Sequence, residues 1–422
     1  MSDAFKNYIM DNLILLDGVS LPYSIQTING GLTVTNNTYI TSQPYFINAY
    51  LSTVSIENST LYDITSDNSI FRAIISNVTL VDIHMNDLYT TELGKFLQLS
   101  SESKAFACNI EYTNSTIKFI ETLSSHIQIS NLSISNISLT QYVLDFAECH
   151  DVKLENILIH DINTTKRYMM NIARSSISQI INMTVHDVDV TILHILESNI
   201  TLIDKIKLYD VAQGIYAQQS SINMIQNSHI YRSGSTNIIF GGALNLKDSS
   251  TTFMNVTLEY NTAQTGGAIH IDCDTYEICR NIMTNSTFAN NIAVKQGGAI
   301  NYNFRRPELS NEVFNDNIAA YGPDIASYPV RIVNSSMYNE SMVLTNVASG
   351  IVYRETLKMT LIDYDNQIMN LVSNSQIKIV PVTNDAEIQS VDYSVLTNGQ
   401  TEFDNLQFAH KPGQTNTKYI AT

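Results

Sequence analysis

The feature that most constrains this chain is a repeat. Asparagine recurs with apolar residues at the first and third positions after it, or at least at the third. The column runs Asn58, Asn77, Asn114, Asn131, Asn156, Asn182, Lys205, Asn227, Asn255, Asn285 and Asn311. Most intervals lie between 17 and 30 residues, and the 37-residue gap before Asn114 implies a longer loop. The segments alternate with period two: Leu132 and Ile134, Ile157 and Ile159, Met183 and Val185, Ile206 and Leu208, and Val256 and Leu258 share one face. Such alternation marks half-buried strands. A second column follows in Tyr62-Asp63-Ile64, Val81-Asp82-Ile83, Ser135-Asn136-Ile137, His160-Asp161-Ile162, His186-Asp187-Val188 and Tyr209-Asp210-Val211. An Asx residue leaving a strand bonds amides two residues on and turns the chain.

A unit of about 25 residues with two or three short strands cannot bury its own apolar face. Stacked coils solve this, each strand pairing in parallel with its equivalents above and below. The expected fold is all-β: a right-handed parallel β-helix of some eleven coils, a rod on the order of 50 Å long. A sandwich would need hairpin turns every 8–12 residues, yet Asn-Gly occurs only at Asn29-Gly30 and Asn398-Gly399. The predicted division is 1–50 for an N-terminal cap or first coils, 51–328 for the helix and 329–422 for a second module.

Within the helix, residues 51–236 form Asn/Asp-ladder coils and 237–328 a second section. There Gly241-Gly242-Ala243-Leu244, Gly266-Gly267-Ala268-Ile269 and Gly297-Gly298-Ala299-Ile300 recur, interleaved with Phe288-Ala289-Asn290-Asn291 and Phe314-Asn315-Asp316-Asn317. Paired glycines permit tight corners and positive φ. GGA(I/L) with FxxN resembles the repeat of chlamydial-type polymorphic outer-membrane proteins and of large ciliate surface proteins. The stretch Tyr321 to Pro329 resembles the ending of the ciliate repeats. The resemblance covers residues 237–325. It implies a secreted or cell-surface location, ciliary included, with an adhesive or structural role and no catalytic residues. The partners it suggests are other surface or filament proteins, or further copies of the chain.

After Pro329 the pattern changes. Thr356–Asp363 and Ser375–Pro381 alternate as strands, and Asn398-Gly399-Gln400-Thr401-Glu402-Phe403-Asp404-Asn405-Leu406 follows. This resembles the closing half of a bacterial-type immunoglobulin-like module, an antiparallel β-sandwich that is cut short here and caps the open end of the coil.

With Lys+Arg 23 against Asp+Glu 40, the net charge is −17. That opposes nucleic acid or an anionic membrane as partner. No apolar run reaches the roughly 18 residues of a spanning helix. Residues 1–10 lack a signal-peptide pattern, and the last residues read as the middle of a strand. The expected location is extracellular.

Asn-x-Ser/Thr sequons are dense. Asn58, Asn77, Asn182, Asn255, Asn285, Asn131 and Asn114 are the candidate glycosylation sites, and further sequons include Asn36, Asn136, Asn163, Asn199, Asn334 and Asn339. The repeat itself generates many of them, because its Asn and Thr face outward for structural reasons. Four cysteines are compatible with two disulfides, Cys273–Cys279 within one loop and Cys108–Cys149 between coils. They lack zinc-ligand spacing. No cofactor is expected. Calcium is the one ion with candidate ligands, at Asp272, Asp274 and Glu277 and at Asp363, Asp365 and Asn366.

On catalysis the expectation is negative: a non-enzymatic, elongated, glycosylated surface for assembly or partner binding. The alternative is a carbohydrate-active β-helix enzyme, lyase or glycosidase, which needs convergent carboxylates on neighbouring coils. Asp161, Asp187 and Asp210 recur in register, as do His160 and His186, with Arg174 and Lys205 the nearby cations. Turn formation and a stacked surface histidine pair account for those recurrences without chemistry.

Overall fold

The alternating segments form strands because their aliphatic residues can all be buried on one side, and the pairing that results is parallel among the described strands from Asn7–Asp11 to Ile325–Ala326. The computed structural model describes residues 7–11, 14–15, 25–36, 38–40, 47–66, 68–90, 94–274, 279–336, 342–413 and 416–422. Among these the chain is all-β, a parallel β-solenoid of about 11 turns with small antiparallel sheets at its C-terminal end. Val54, Ile56, Leu80, Ile129, Ile134, Ile159, Val185 and Leu208 belong to one continuous core running the length of the coils. Within it Phe71 meets Phe96 edge to face at a centroid spacing of 5.1 Å, and Phe96 stacks on Phe119 at 5.6 Å.

Each coil turns at residues with positive φ, and three such corners recur. The first comprises Asn58, Asp82, Asn109, Asn131, Asn156, Asn182, Lys205, Asn227, Asn255, Asn285 and Asn311. For all of them φ lies between 45 and 61°. The second comprises Asp63, Asp87, Asn114, Asn136, Asp161, Asp187, Asp210 and Arg232. Asn and Asp occupy a left-handed conformation at least cost among residues with a Cβ. This corrects the sequence alignment. Asp82 and Asn114 exchange columns, Asn109 fills the place sought in a longer loop, and Asn77 begins the strand Asn77–Tyr89 at a different corner. The coils before Asn109 are ordinary in length. The apparent gap arose because Asp can take the Asn position.

At the third corner the positive-φ residue is often neither Asn nor Asp: Leu51, Ile75, Glu148, Arg174, Glu197 and Gln219. The next residue explains why. Ser52, Ser76, Ser103, Ser175, Ser198, Ser220 and Ser249 point inward, and each hydroxyl accepts the amide of its equivalent one coil earlier where both are serine. Examples are Ser52 N to Ser76 Oγ at 3.1 Å and Ser175 N to Ser198 Oγ at 2.9 Å. A buried amide left unpaired costs about 1–3 kcal/mol, the same order as the roughly 1–2 kcal/mol of a left-handed residue.

In the second section the paired glycines have separate tasks. Gly241, Gly266, Gly297 and Gly322 take positive φ. At Gly267 a Cβ would lie 2.2 Å from the Gly298 carbonyl oxygen of the next coil. The last Asn of each FxxN is interior. Asn291 Nδ2 donates to the Leu258 carbonyl at 2.9 Å, and its Oδ1 accepts the Asn261 amide at 3.1 Å. Phe288 stacks on Phe314 at 5.1 Å.

Beyond Pro329 three three-stranded antiparallel sheets enclose a second core of Leu357, Ile377, Ile379, Leu396, Phe403, Leu406 and Phe408, an arrangement compatible with a partial sandwich. It is pinned to the last coil. Buried Asp363 accepts the Tyr321 hydroxyl and the Ser327 amide. Asp365 accepts Tyr302 Oη at 2.7 Å and Arg306 Nε at 2.8 Å.

Cys273 and Cys279 form a disulfide. The second bridge expected from sequence is absent: Cys108 and Cys149 are both free. Cys149 replaces serine in the interior ladder of the third corner, its amide donating to Ser175 Oγ at 2.9 Å and its Sγ facing Thr122 Oγ1 at 2.9 Å. Cys108 lies on the strand Lys104–Thr113, paired with Val81 and Ser130.

Candidate active strip on one face of the solenoid

One position in every coil is polar between two buried residues. It gives Leu97-Gln98-Leu99, Ile120-Glu121-Thr122, Leu144-Asp145-Phe146, Met170-Asn171-Ile172, Leu193-His194-Ile195, Ile215-Tyr216-Ala217, Leu244-Asn245-Leu246 and Ile269-His270-Ile271. The flanking residues anchor each short strand in the core, so the central side chain points outward. Parallel pairing then sets Gln98, Glu121, Asp145, Asn171, His194, Tyr216, Asn245 and His270 in one row.

The row is connected by hydrogen bonds. Ser69 Oγ donates to Gln98 Oε1 at 2.9 Å, and Gln98 Nε2 to Glu121 Oε1 at 3.3 Å. Lys118, whose side chain is 4% exposed, donates to Glu121 Oε2 at 2.8 Å and to Asp145 Oδ2 at 3.0 Å. Lys95 pairs with the other Glu121 oxygen. Asn171 Nδ2 donates to Asp145 Oδ1, and Asn171 Oδ1 faces His194 Nδ1, both at 2.8 Å.

This chain assigns the tautomer of His194. An ionised carboxylate only accepts, so Asn171 must turn its NH₂ to Asp145 and its oxygen to His194. His194 Nδ1 therefore carries the proton, and in the neutral ring Nε2 holds a lone pair. Burial, with the Arg167 charge adding to it, holds the His194 imidazole below its ordinary range. The ring lies nearly parallel to those of Tyr168, centroid 4.0 Å away at 4°, and Tyr216, at 5.6 Å and 9°. Burial raises Tyr168, against the opposing effect of Arg167. Burial would also raise Glu121, but its bonds to Lys118 and Lys95 outweigh that and keep it below the usual carboxylate range.

The residues singled out from sequence lie elsewhere. All seven candidate glycosylation asparagines are exposed. Asn131 and Asn182 belong to a side-chain amide ladder: Asn131 Nδ2 donates to Asn109 Oδ1 at 2.8 Å, Asn156 Nδ2 to Asn131 Oδ1 at 2.9 Å and Asn182 Nδ2 to Asn156 Oδ1 at 2.8 Å. Asn58, Asn255 and Asn285 occupy the same corner. Asn114 Nδ2 donates to Asn86 Oδ1 at 2.8 Å at the second corner. Asn339 and Glu277 lie outside the described residues.

His160 and His186 stack at 5.1 Å and 3°, continuing into Tyr209 and Tyr231. Each histidine faces its neighbouring aspartate at 2.7 Å. Asp161, Asp187 and Asp210 form the second corner, and their carboxylates bond sideways to His160, His186 and Arg232. An open groove of about 660 Å³ beside them is lined by Asp187, Asp189, Asp210, Arg232 and Ser235. Arg174 pairs with Glu148. Asp272 accepts from Asn303, Asp363 and Asp365 bind the end of the solenoid, and Asn366 accepts from Arg331. Among the described residues no group of three or more His, Cys, Asp or Glu side chains is placed to hold a metal ion. No described helix is long and apolar enough to cross a membrane.

The strip itself went unrecognised in the sequence. Its signal was present as the apolar–polar–apolar triplet at coil spacing, masked because no two successive coils use the same polar residue.

No protein-family model matches the chain, and no curated protein is similar to it in sequence. Solved structures do resemble it as parallel β-solenoids. One is a tailspike protein of the E. coli bacteriophage HK620 with a pentasaccharide, at 8% identity, covering 98% of this chain and 86% of that one, TM-score 0.29. Another is a tailspike of the Acinetobacter baumannii bacteriophage Fri1, a capsular polysaccharide depolymerase, at 7% identity, covering 98% and 88%, TM-score 0.26. A third is an alginate lyase in complex with G6, at 10% identity, covering 81% and 86%, TM-score 0.29. At this level the likeness is one of fold. The expectation of a chain without catalytic activity finds no support here: the neighbours include a capsular polysaccharide depolymerase and alginate lyases by name.

Proposed function

We propose that this chain is a polysaccharide-acting enzyme, working on the outer strip with His194 Nε2 as general base. The observation that carries the reading is the relay Asp145–Asn171–His194, which holds the imidazole in one tautomer with its lone pair outward. A general base needs a neutral form at working pH and an orienting partner, and the ring has both. Hydrolysis by paired carboxylates is less well supported. It requires one carboxyl to carry a proton near neutrality, whereas Glu121 and Asp145 share Lys118 and Glu121 is held low. Secretion and glycosylation of the exposed asparagines form part of the same proposal. They are supported by the disulfide and tested by intact mass before and after glycan removal.

The test of activity is depolymerisation of a panel of bacterial, algal and plant polysaccharides, followed by product size and by ultraviolet absorbance of any new C=C bond. The expected result is cleavage by the full chain and loss of about 10²-fold or more in H194A. A panel left intact, or H194A cleaving at the parent rate, refutes it.

A further inference from the structure

We infer that Arg167 holds an anionic substituent of the polymer, and that this substituent is a carboxylate placed beside the His194 base. The inference rests on the reading of His194 above and names its substrate class, a uronate-containing polysaccharide.

The argument begins with charge. Lys95 and Lys118 are matched by Glu121 and Asp145. Lys166 and Arg167, exposed in the turn between Val152–Thr164 and Tyr168–Ala173, face no carboxylate among the described residues. The turn beside the base therefore carries two unmatched cations, in a chain of net charge −17. The Arg167 guanidinium lies 5.8 Å from the Tyr168 ring, and that ring stacks on His194 at 4.0 Å. A planar fork over an aromatic ring is oriented for bidentate contact with a carboxylate. The guanidinium has no anionic partner among the described residues, and an anion on the substrate would supply one.

The chemistry that follows balances. A carboxylate on the carbon that loses its proton acidifies that C–H bond once its own charge is matched by Arg167. His194 Nε2 takes the proton. The C–H electron pair forms a C=C bond to the adjacent ring carbon, and the glycosidic C–O bond on that carbon breaks. The leaving oxygen keeps the bonding pair and takes a proton from water. Charge that develops on the carboxylate in this step meets the guanidinium, so Arg167 would act in the transition state as well as in binding.

The experiment compares equilibrium binding of a uronate oligosaccharide, the same oligosaccharide with its carboxyls reduced to alcohols, and a sulfated oligosaccharide. Each is titrated against the full chain, R167Q and R167K, with circular dichroism confirming that the variants fold. The full chain should prefer the uronate over its reduced form by on the order of 10-fold or more. R167Q should abolish that preference, and R167K should keep part of it. Equal binding of the uronate and reduced forms, or R167Q binding uronate like the parent, overturns the assignment. A stronger, Arg167-dependent preference for the sulfated ligand overturns the carboxylate choice. Binding does not depend on proton transfer. Uronate capture through Arg167 together with full turnover in H194A would sink the His194 reading alone.

Discussion

Lowering the pH should weaken the coils around His270 before the carboxylates begin to protonate. The His270 side chain sits in the strip at 8% exposure, stacked on Phe240 at 4.3 Å, with Nδ1 lacking a hydrogen-bond partner among the described residues. Burial pushes its pKa from 6.5 down to about 4, with Asp272 and Asn301 opposing part of that fall. The folded state thus prefers the neutral ring, while the unfolded chain takes up a proton near its ordinary value. Between the two values the unfolded state binds more protons, so stability falls as pH drops through that window and the effect saturates below about 4. At about 1.36 kcal/mol per pH unit the loss is roughly 3 kcal/mol. Solenoid coils respond to local stability, so the readout is amide exchange in Ile269–Asp272 and the strands paired with it, across the pH window. In H270Q the pH slope should fall by close to one proton. Equal slopes in the parent and H270Q would refute the burial argument.

Further outcomes follow from particular contacts. Gly267→Ala puts a methyl 2.2 Å from a backbone carbonyl of the next coil and should cost about 1–3 kcal/mol, seen as a lower urea midpoint. Unfolded without reductant, the chain should show the thiols of Cys108 and Cys149 only, and all four cysteines after reduction. A chain without free thiols would restore the inter-coil bridge. N171D places a carboxylate beside His194 Nδ1 and should move the acid limb of the activity profile upward by about 1–2 pH units. An unmoved limb would remove Asn171 from its positioning role.

Much of the fold was legible because a solenoid writes its geometry locally. Each coil needs buried aliphatics at alternating positions and residues that tolerate positive φ at its corners, and both requirements leave marks at a fixed spacing. The alternation around Asn131, Asn156 and Asn182 and the GGA repeats showed this directly. The columns slipped at Asn77 and Asn114, because Asp82 and Asn109 satisfy the same corner and only pairing distinguishes them. The serine ladder carried a weaker mark, since its partner residue varies from Leu51 to Arg174.

The sequence by itself determined that this chain coils and which residues of its alternating strands are buried. Only the tertiary structure decided which side chains meet. Glu121, Asp145, Asn171 and His194 come from four different coils and share no motif. Parallel stacking brings them into one row and one hydrogen-bonded relay, because neighbours in that row are a full coil apart in sequence and one strand spacing apart in space.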